Sequence, residues 1–517
     1  MKNIKLSFSL LLIFAITIIS CDESTIDLKP VRETEAGYFQ DEDQMQEAVF
    51  GVYQKLSFFY AFRGGQNNNL APIWHLPGDD LTTKAGYAFE NFVALNGSNS
   101  QLSLFYDYAY QLIARANIVL QKIEENGDFA YESKPELKDY NKGEALCLRA
   151  YMYMQLWNVF GTAPLVTERI INIEDAYPAS SKGTELLDQA IIDLNEAAQL
   201  LPESWSADMK GRVTKNSAFG LRMKCLVFRG TVNNNSEDFT AAISTFNSLS
   251  GLALTAQYSQ NFDVIFENNE ESLFEYQANS SPSFVNPFLG NAGGNDVFSV
   301  KGEIGAYYGF FSKKPSWIGN SSYRATSSIL NAYEDGDPRK DYNFSEDPVN
   351  DDLNVKKYIK NTAYAEGSGG KNNEVSVNNP RILRYADVLL LKAEAIVRSN
   401  GSLSEAIGII NQIRERARNS TDDGVPSAIP ADRDVNESDK NTVLEWIFQE
   451  RRLELAFEEG HRWWDLRRRH IAGEIDLKTL NFDSELDNCE FEDYNVNFPL
   501  PEKQVVENPN MDQNTGY

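Results

Sequence analysis

The sequence predicts a mainly α-helical protein, a tetratricopeptide-like scaffold of about four irregular helical pairs carrying an irregular, loop-rich layer. Three observations lead there. Apolar residues recur at i, i+3, i+4 and i+7 in successive segments, which lines one face of a helix. Alanines sit on those stripes, where they let paired helices approach closely. Two long stretches, 58–100 and 255–380, break the rhythm with Gly, Asn, Ser and Pro clusters.

The chain opens with MKNIKLSFSLLLIFAITIISC. Lys2 and Lys5 precede an apolar run from Leu6 to Ile19, which is too short to span a bilayer comfortably and reads as a signal peptide over 1–20. Ile18-Ile19-Ser20-Cys21 resembles a bacterial lipobox, which implies cleavage before Cys21 and acylation of that residue. Three acyl chains, at about 0.8 kcal/mol per buried methylene, anchor firmly. Residues 21–34 read as a tether. Its Asp22-Glu23-Ser24 resembles the surface-export signal of Bacteroidetes lipoproteins. A single domain is expected over 35–517, with its helical scaffold at about 35–57, 101–250, 324–334 and 380–470.

Within the scaffold, 101–125 and 136–159 form the first clear pair. In KGTELLDQAIIDLNEAAQLLP, Leu187, Ala190, Ile191, Leu194, Ala198 and Leu201 share one face, and Pro202 ends the helix. Residues 213–230 supply its partner. Residues 381–398 align Ala386, Leu389, Leu390, Ala393 and Val397. The next helix aligns Leu403, Ala406, Ile407, Ile410 and Ile413. A further amphipathic helix covers 438–459. The two irregular stretches hold many aromatics, so they read as one layer built on the helices.

The formal net charge is −27. Nucleic-acid binding depends on neutralising phosphates, so this balance argues against such a partner. The widely spaced Cys147, Cys225 and Cys489 make no disulfide framework. Cys147 and Cys225 fall in apolar helical contexts and read as core residues. There are three histidines, His75, His461 and His470. No H-E-x-x-H, C-x-x-C, G-x-S-x-G or phosphate-binding glycine loop occurs, so no catalytic residue, metal ligand or cofactor site is expected.

The segment QERRLELAFEEGHRWWDLRRR, 449–469, mixes tryptophan and arginine as a single-stranded nucleic-acid site does. Five acids offset its six arginines, however. The expected role is structural. Gln449 to Glu458 continues a helix, Gly460 breaks it, and Glu458 with Arg462 and Asp465 with Arg469 sit at pairing distance. Trp463 and Trp464 are expected to pack against the repeats under arginine stems.

RYADVLLLKAEA, INQIRERAR, ERRLELAFEEGHRWWDLRR and the ending FPLPEKQVVENPNMDQNTGY occur in that order. Phe160-Gly161-Thr162-Ala163-Pro164-Leu165 adds a YGxxPL-like step. With the lipobox, this ordered set resembles the SusD/RagB family of nutrient-binding outer-membrane lipoproteins. The resemblance implies binding without catalysis, a helical scaffold with an irregular ligand-binding part, and a SusC-like TonB-dependent transporter as partner. It does not fix the ligand-contacting residues.

Sugar rings stack their CH faces on aromatic planes and need polar partners for their hydroxyls. Of the seven tryptophans, Trp74 and Trp317 lie in the irregular stretches. Trp317 is the first candidate platform and Trp74 the second, followed by Tyr307, Tyr308 and Tyr323. Asn68 and Asn320, with Gln66, Asn67 and Asn69, are candidate hydroxyl partners. Asp80, beside Asp79, is a further candidate or a structural acid of its loop. The expected cargo is a neutral or mildly charged oligosaccharide. A peptide is the alternative cargo, and a structural lid or scaffold for the transporter the alternative role.

Overall fold

The computed structural model describes residues 35–60, 70–83, 86–278, 323–346, 353–355, 357–358, 378–480 and 489–517. Helices of more than ten residues carry the scaffold: α1 (Glu42–Tyr53), α2 (Ser100–Ala130), α3 (Pro135–Phe160), α4 (Glu185–Leu200), α5 (Lys215–Asn233), α6 (Ser236–Phe246), α7 (Tyr385–Arg398), α8 (Leu403–Arg418), α9 (Lys440–Glu454) and α10 (His461–Ile471). Several starts have a side-chain cap. Asn99 accepts from the Gln101 and Leu102 amides, Thr214 and Ser217 form a reciprocal capping box, and Ser402 and Asp439 cap α8 and α9. The fold is mainly helical, as the periodicity predicts.

Along the chain from α1 to α8, each helix packs on the next, and α9 then closes on α7 and α8. This is the nearest-neighbour stacking of helical repeats. Small residues sit at the closest approaches. A Cβ on Gly220 of α5 would lie 2.5 Å from Leu273 and 2.7 Å from Leu383. One large apolar core runs from α1 through α5 into the irregular layer. A second lies between α7, α8 and α9, where Leu390, Ile407, Ile410, Ile413, Val443 and Ile447 meet. Cys147 and Cys225 are buried free thiols.

Several expectations are corrected. Arg381–Arg384 is a strand rather than the first turn of α7. It pairs antiparallel with Ser272–Glu275. A second small sheet orders Leu81–Thr82, Arg324–Ala325, Leu353–Val355 and Phe344–Glu346. Strands of two to four residues are too short for a period-two pattern to register. Helix α6 falls inside the expected 101–250 scaffold but is not singled out by the periodicity, because its eleven residues carry few large apolar side chains.

Helix α9 stops at Glu454 and does not continue to Glu458. Phe457, Glu459 and Gly460 adopt positive φ (66°, 37° and 66°), which a right-handed helix excludes. The carbonyls exposed at that stop are taken by other segments. Tyr333 donates to the Leu453 oxygen at 2.6 Å, Arg384 to Glu454 at 2.7 Å, and Lys357 to Ala456 at 2.7 Å. Two cations therefore face the negative end of the helix dipole.

The same turn organises a buried ionic cluster. Arg384 bonds Glu271, Glu454 and Glu458 at 2.6–2.7 Å, and Arg339 bonds Asp337, Glu450 and Glu454. The expected pairs four residues apart do not form. Glu458 is outside the helix and bonds Lys357 and Arg384, while Arg462 reaches Asp79. Asp465 bonds Arg451 and Arg468, and Arg469 bonds Glu445.

Trp463 is fully buried, stacked on Phe498 with centroids 6.1 Å apart and planes 9° apart. Its ring thus packs against the C-terminal segment and, at 6.0 Å, against Phe92. Trp464 is buried too, and its indole N–H donates to the Glu459 carbonyl at 3.1 Å.

Candidate functional site

The two irregular stretches meet through the short strands. Leu81 pairs with Ala325 and Thr82 with Arg324. The Thr326 amide donates to the Asp80 carbonyl at 3.0 Å, and its hydroxyl to the Asp79 carbonyl at 2.7 Å. Beneath this seam, the side chains of Asp79 and Asp80 are tied to the scaffold. Arg462 donates to both Asp79 oxygens, at 2.6 and 2.9 Å. Arg452 donates to Asp80 Oδ1 at 2.8 Å and lies 3.0 Å from Asp79.

The two neighbouring acids titrate in opposite directions. Burial opposes charge on both. At Asp79, Arg462 and Arg452 overcome burial and hold the carboxyl at about 2. At Asp80, burial and the adjacent Asp79 charge prevail over Arg452, and the carboxyl is raised. Asp80 Oδ2 is buried with no hydrogen-bond partner among the described residues. Arg452 and Arg462 are the site residues the sequence reading missed. Their signal was present in the arginine run, but a helix assumed to continue through Glu458 assigned Arg462 to the wrong acid.

An aromatic cluster lies beside the seam. Tyr60 stacks on Tyr276 (5.6 Å, 27°) and tilts against Trp74 at 6.2 Å. Trp74 also meets Phe105 and His75, and His75 faces Tyr323 at 6.5 Å. Burial depresses His75 to about 3, so it is neutral at ordinary pH. Tyr60, Tyr276 and Tyr323 stand at or near the described ends that flank 61–69 and 279–322. Both segments therefore leave from, or return to, one aromatic floor.

Glu459 lies under that floor. Its Oε1 accepts from Tyr60, from Tyr151 at 2.6 Å and from Gln155 at 3.0 Å, while Oε2 is buried without a partner among the described residues. Burial raises this carboxyl to about 7 against those hydrogen bonds.

The structure thus brings Trp74, Tyr323 and Asp80 together, but not as expected. Trp74 is 6% exposed, Tyr323 2% and Asp80 4%. The expectation of Trp74 and Tyr323 as open stacking platforms is corrected: both rings are filled in by neighbours and form a base. Trp317, Tyr307, Tyr308, Asn320, Asn68 and Cys21 lie outside the described residues.

One group of His470, Asp476 and Asp493 has metal-ligand proximity. It is already engaged. His470 Nδ1 accepts from the Leu477 amide, which leaves the proton on Nε2, 3.5 Å from Asp493. Lys478 lies 3.1 Å from the same carboxylate. Among the described residues, no helix is long and apolar enough to cross a membrane.

Comparison with known proteins agrees with this architecture. A family model described as the SusD family matches residues 339–517, and one described as starch-binding associating with outer membrane matches residues 80–225. Together they span more than half of the chain. SusD-like protein P38 of Formosa agariphila is 25% identical over 557 residues, covering 100% of this chain and 99% of its own. A SusD-like protein of Bacteroides ovatus is 23% identical, covering 89% and 82%.

Among solved structures, surface glycan-binding protein A from Bacteroides fluxus superposes with a TM-score of 0.73 at 20% identity, over 92% of this chain and 99% of that one. A laminarin-binding SusD-like protein gives 0.70 at 23% identity, over 92% and 100%. These superpositions establish the fold. With two matching family models, full-length relatives and a scaffold of stacked helical pairs, the chain belongs to the SusD/RagB family.

Proposed function

We propose that this chain is a non-catalytic glycan-binding lipoprotein of the outer-membrane surface, anchored through Cys21. It captures a neutral oligosaccharide and passes it to a SusC-like TonB-dependent transporter. The observation that carries this reading is the seam of Leu81–Thr82 with Arg324–Ala325, which roots both irregular stretches over one buried aromatic floor. Relatives described as laminarin-binding and as surface glycan-binding proteins support the ligand class. Trp317, with Tyr307 and Tyr308, supplies the stacking face, and Asn320 and Asn68 supply hydroxyl partners. Trp74, Tyr323 and Asp80 serve as a buried support. Asp79 is committed to two arginines, which is the arrangement of a structural acid rather than of a general acid or base.

The test is affinity electrophoresis of the acyl-free chain against a panel of neutral glycans, including laminarin and starch. Retardation by at least one, lost on Trp317→Ala with unchanged melting, is expected. Retardation by none, with binding to peptides instead, would replace the glycan reading. Cys21→Ala is expected to shift the protein from the membrane to the soluble fraction.

A further inference from the structure

A second concave surface lies between the first half of α2, the connection from α3 to α4, and the C-terminal segment. Its volume is about 460 Å³, within the range of small-ligand sites. Tyr106, Tyr110, Tyr177, Pro164 and Pro178 give it flat apolar walls. Its polar lining comes from Asp107, Gln111, Gln504, Glu507 and Asn508, and among the described residues no Lys, Arg or His lines it. That chemistry disfavours an anionic ligand, for which two carboxylates are repulsive. It suits a neutral ligand with many hydroxyls, for which carboxylates and amides are acceptors and flat rings are stacking partners.

The cleft is also preformed. Tyr106 and Tyr110 pack at 4.6 Å, and the Tyr110 hydroxyl is fixed on the Pro164 carbonyl. The Tyr177-Pro178 corner is held from the C-terminal segment, with Asn510 donating to the Tyr177 carbonyl at 2.6 Å and Asn508 to the Pro178 carbonyl at 2.8 Å. Tyr177 itself is 41% exposed. Its ring meets no other aromatic ring, and its hydroxyl makes no hydrogen bond among the described residues. A rigid backbone presenting an unused aromatic plane loses little entropy on binding.

We propose that this cleft is a second glycan subsite, which stacks a neutral sugar on Tyr177 and takes its hydroxyls on Asp107 and Glu507. It holds one part of a long chain while the Trp317 face proposed above holds another, so the two act together through a raised effective concentration. This rests on the glycan reading of the chain but concerns a separate surface. Ile170, which lines the cleft and is 44% exposed, makes a protein the competing occupant.

The experiment compares wild type, Tyr177→Ala and Trp317→Ala in gels containing laminarin or soluble starch, with the matching tetrasaccharides in solution. Melting temperatures control for folding. Tyr177→Ala is expected to weaken retardation by the polysaccharide about tenfold and to leave tetrasaccharide affinity unchanged. Trp317→Ala is expected to remove the tetrasaccharide. If Tyr177→Ala behaves as wild type while Trp317→Ala loses all binding, the subsite is overturned and the glycan reading stands. If wild type binds neither glycan, both fall. If Tyr177→Ala keeps full retardation but no longer co-purifies with a TonB-dependent transporter, the cleft is a protein-docking face and the subsite is overturned.

Discussion

Glu459→Gln is expected to make the protein more stable at pH 8 and to change it little at pH 5. The Glu459 carboxyl sits among Tyr60, Tyr151 and Gln155, with the Lys224 charge acting to lower it. Lys224 is itself engaged with Asp387 at 2.9 Å and faces His461 at 3.0 Å. Burial lifts the folded carboxyl from 4.5 to about 7. A carboxyl raised in this way favours the fold while protonated. Its contribution is complete below pH 4.5 and is lost as pH rises through about 7. At about 1.4 kcal/mol per unit, the displacement amounts to roughly 3 kcal/mol between those limits. Glutamine is neutral throughout and keeps an oxygen for the same three donors. Urea unfolding of both proteins from pH 5 to pH 8.5 reads the difference directly. The variant's advantage should grow with pH toward about 3 kcal/mol. A difference independent of pH, or one that grows toward acid, would refute the assignment of a protonated buried carboxyl.

Further perturbations follow from the packing and the ionic cluster. Trp464→Ala should cost about 3–5 kcal/mol in chemical denaturation, because a buried indole and its bond to the Glu459 carbonyl are lost together. Arg384→Ala should cost about 3–5 kcal/mol, since Glu271, Glu454 and Glu458 would stay buried without their shared cation. The loss should be nearly the same in 0.15 M and 1 M salt, because buried pairs are poorly screened. Glu394 and Glu454 are both held at about 2, burial being overcome at Glu394 by Arg468 and at Glu454 by Arg416. The stability they confer is present above 4.5 and is lost as pH falls toward about 2, so acid unfolding followed by near-ultraviolet circular dichroism should fall in that window.

The helices were legible in the sequence wherever a wide apolar stripe recurs. The predicted stripe from Leu187 to Leu201 matches α4 within two residues at its start, and that from Leu403 to Ile413 lies within α8. Failures fell where the determinant is not periodic. The stop of α9 at Glu454 rests on positive-φ residues, two of them non-glycine, and on carbonyl partners from residues 333, 357 and 384. No local pattern encodes such partners. Trp74 read as exposed because it sits in a Gly- and Asn-rich stretch. It is buried because Tyr60, Phe105 and His75 surround it, and that depends on tertiary assembly. The clamp on Asp79 joins positions 383 apart in sequence, a distance at which spacing carries no information.

That clamp bears on how specificity could be exchanged within this architecture. Arg452 and Arg462 grip the acids just before the seam, so the roots of 61–69 and 279–322 are fixed from the far end of the chain. A different pair of such segments, grafted between the same roots, would inherit a ready foundation and need bring only its own contacts. Conversely, an amino-terminal fragment ending before Arg452 would carry the acids without their counterions, and could not serve as a minimal recognition module.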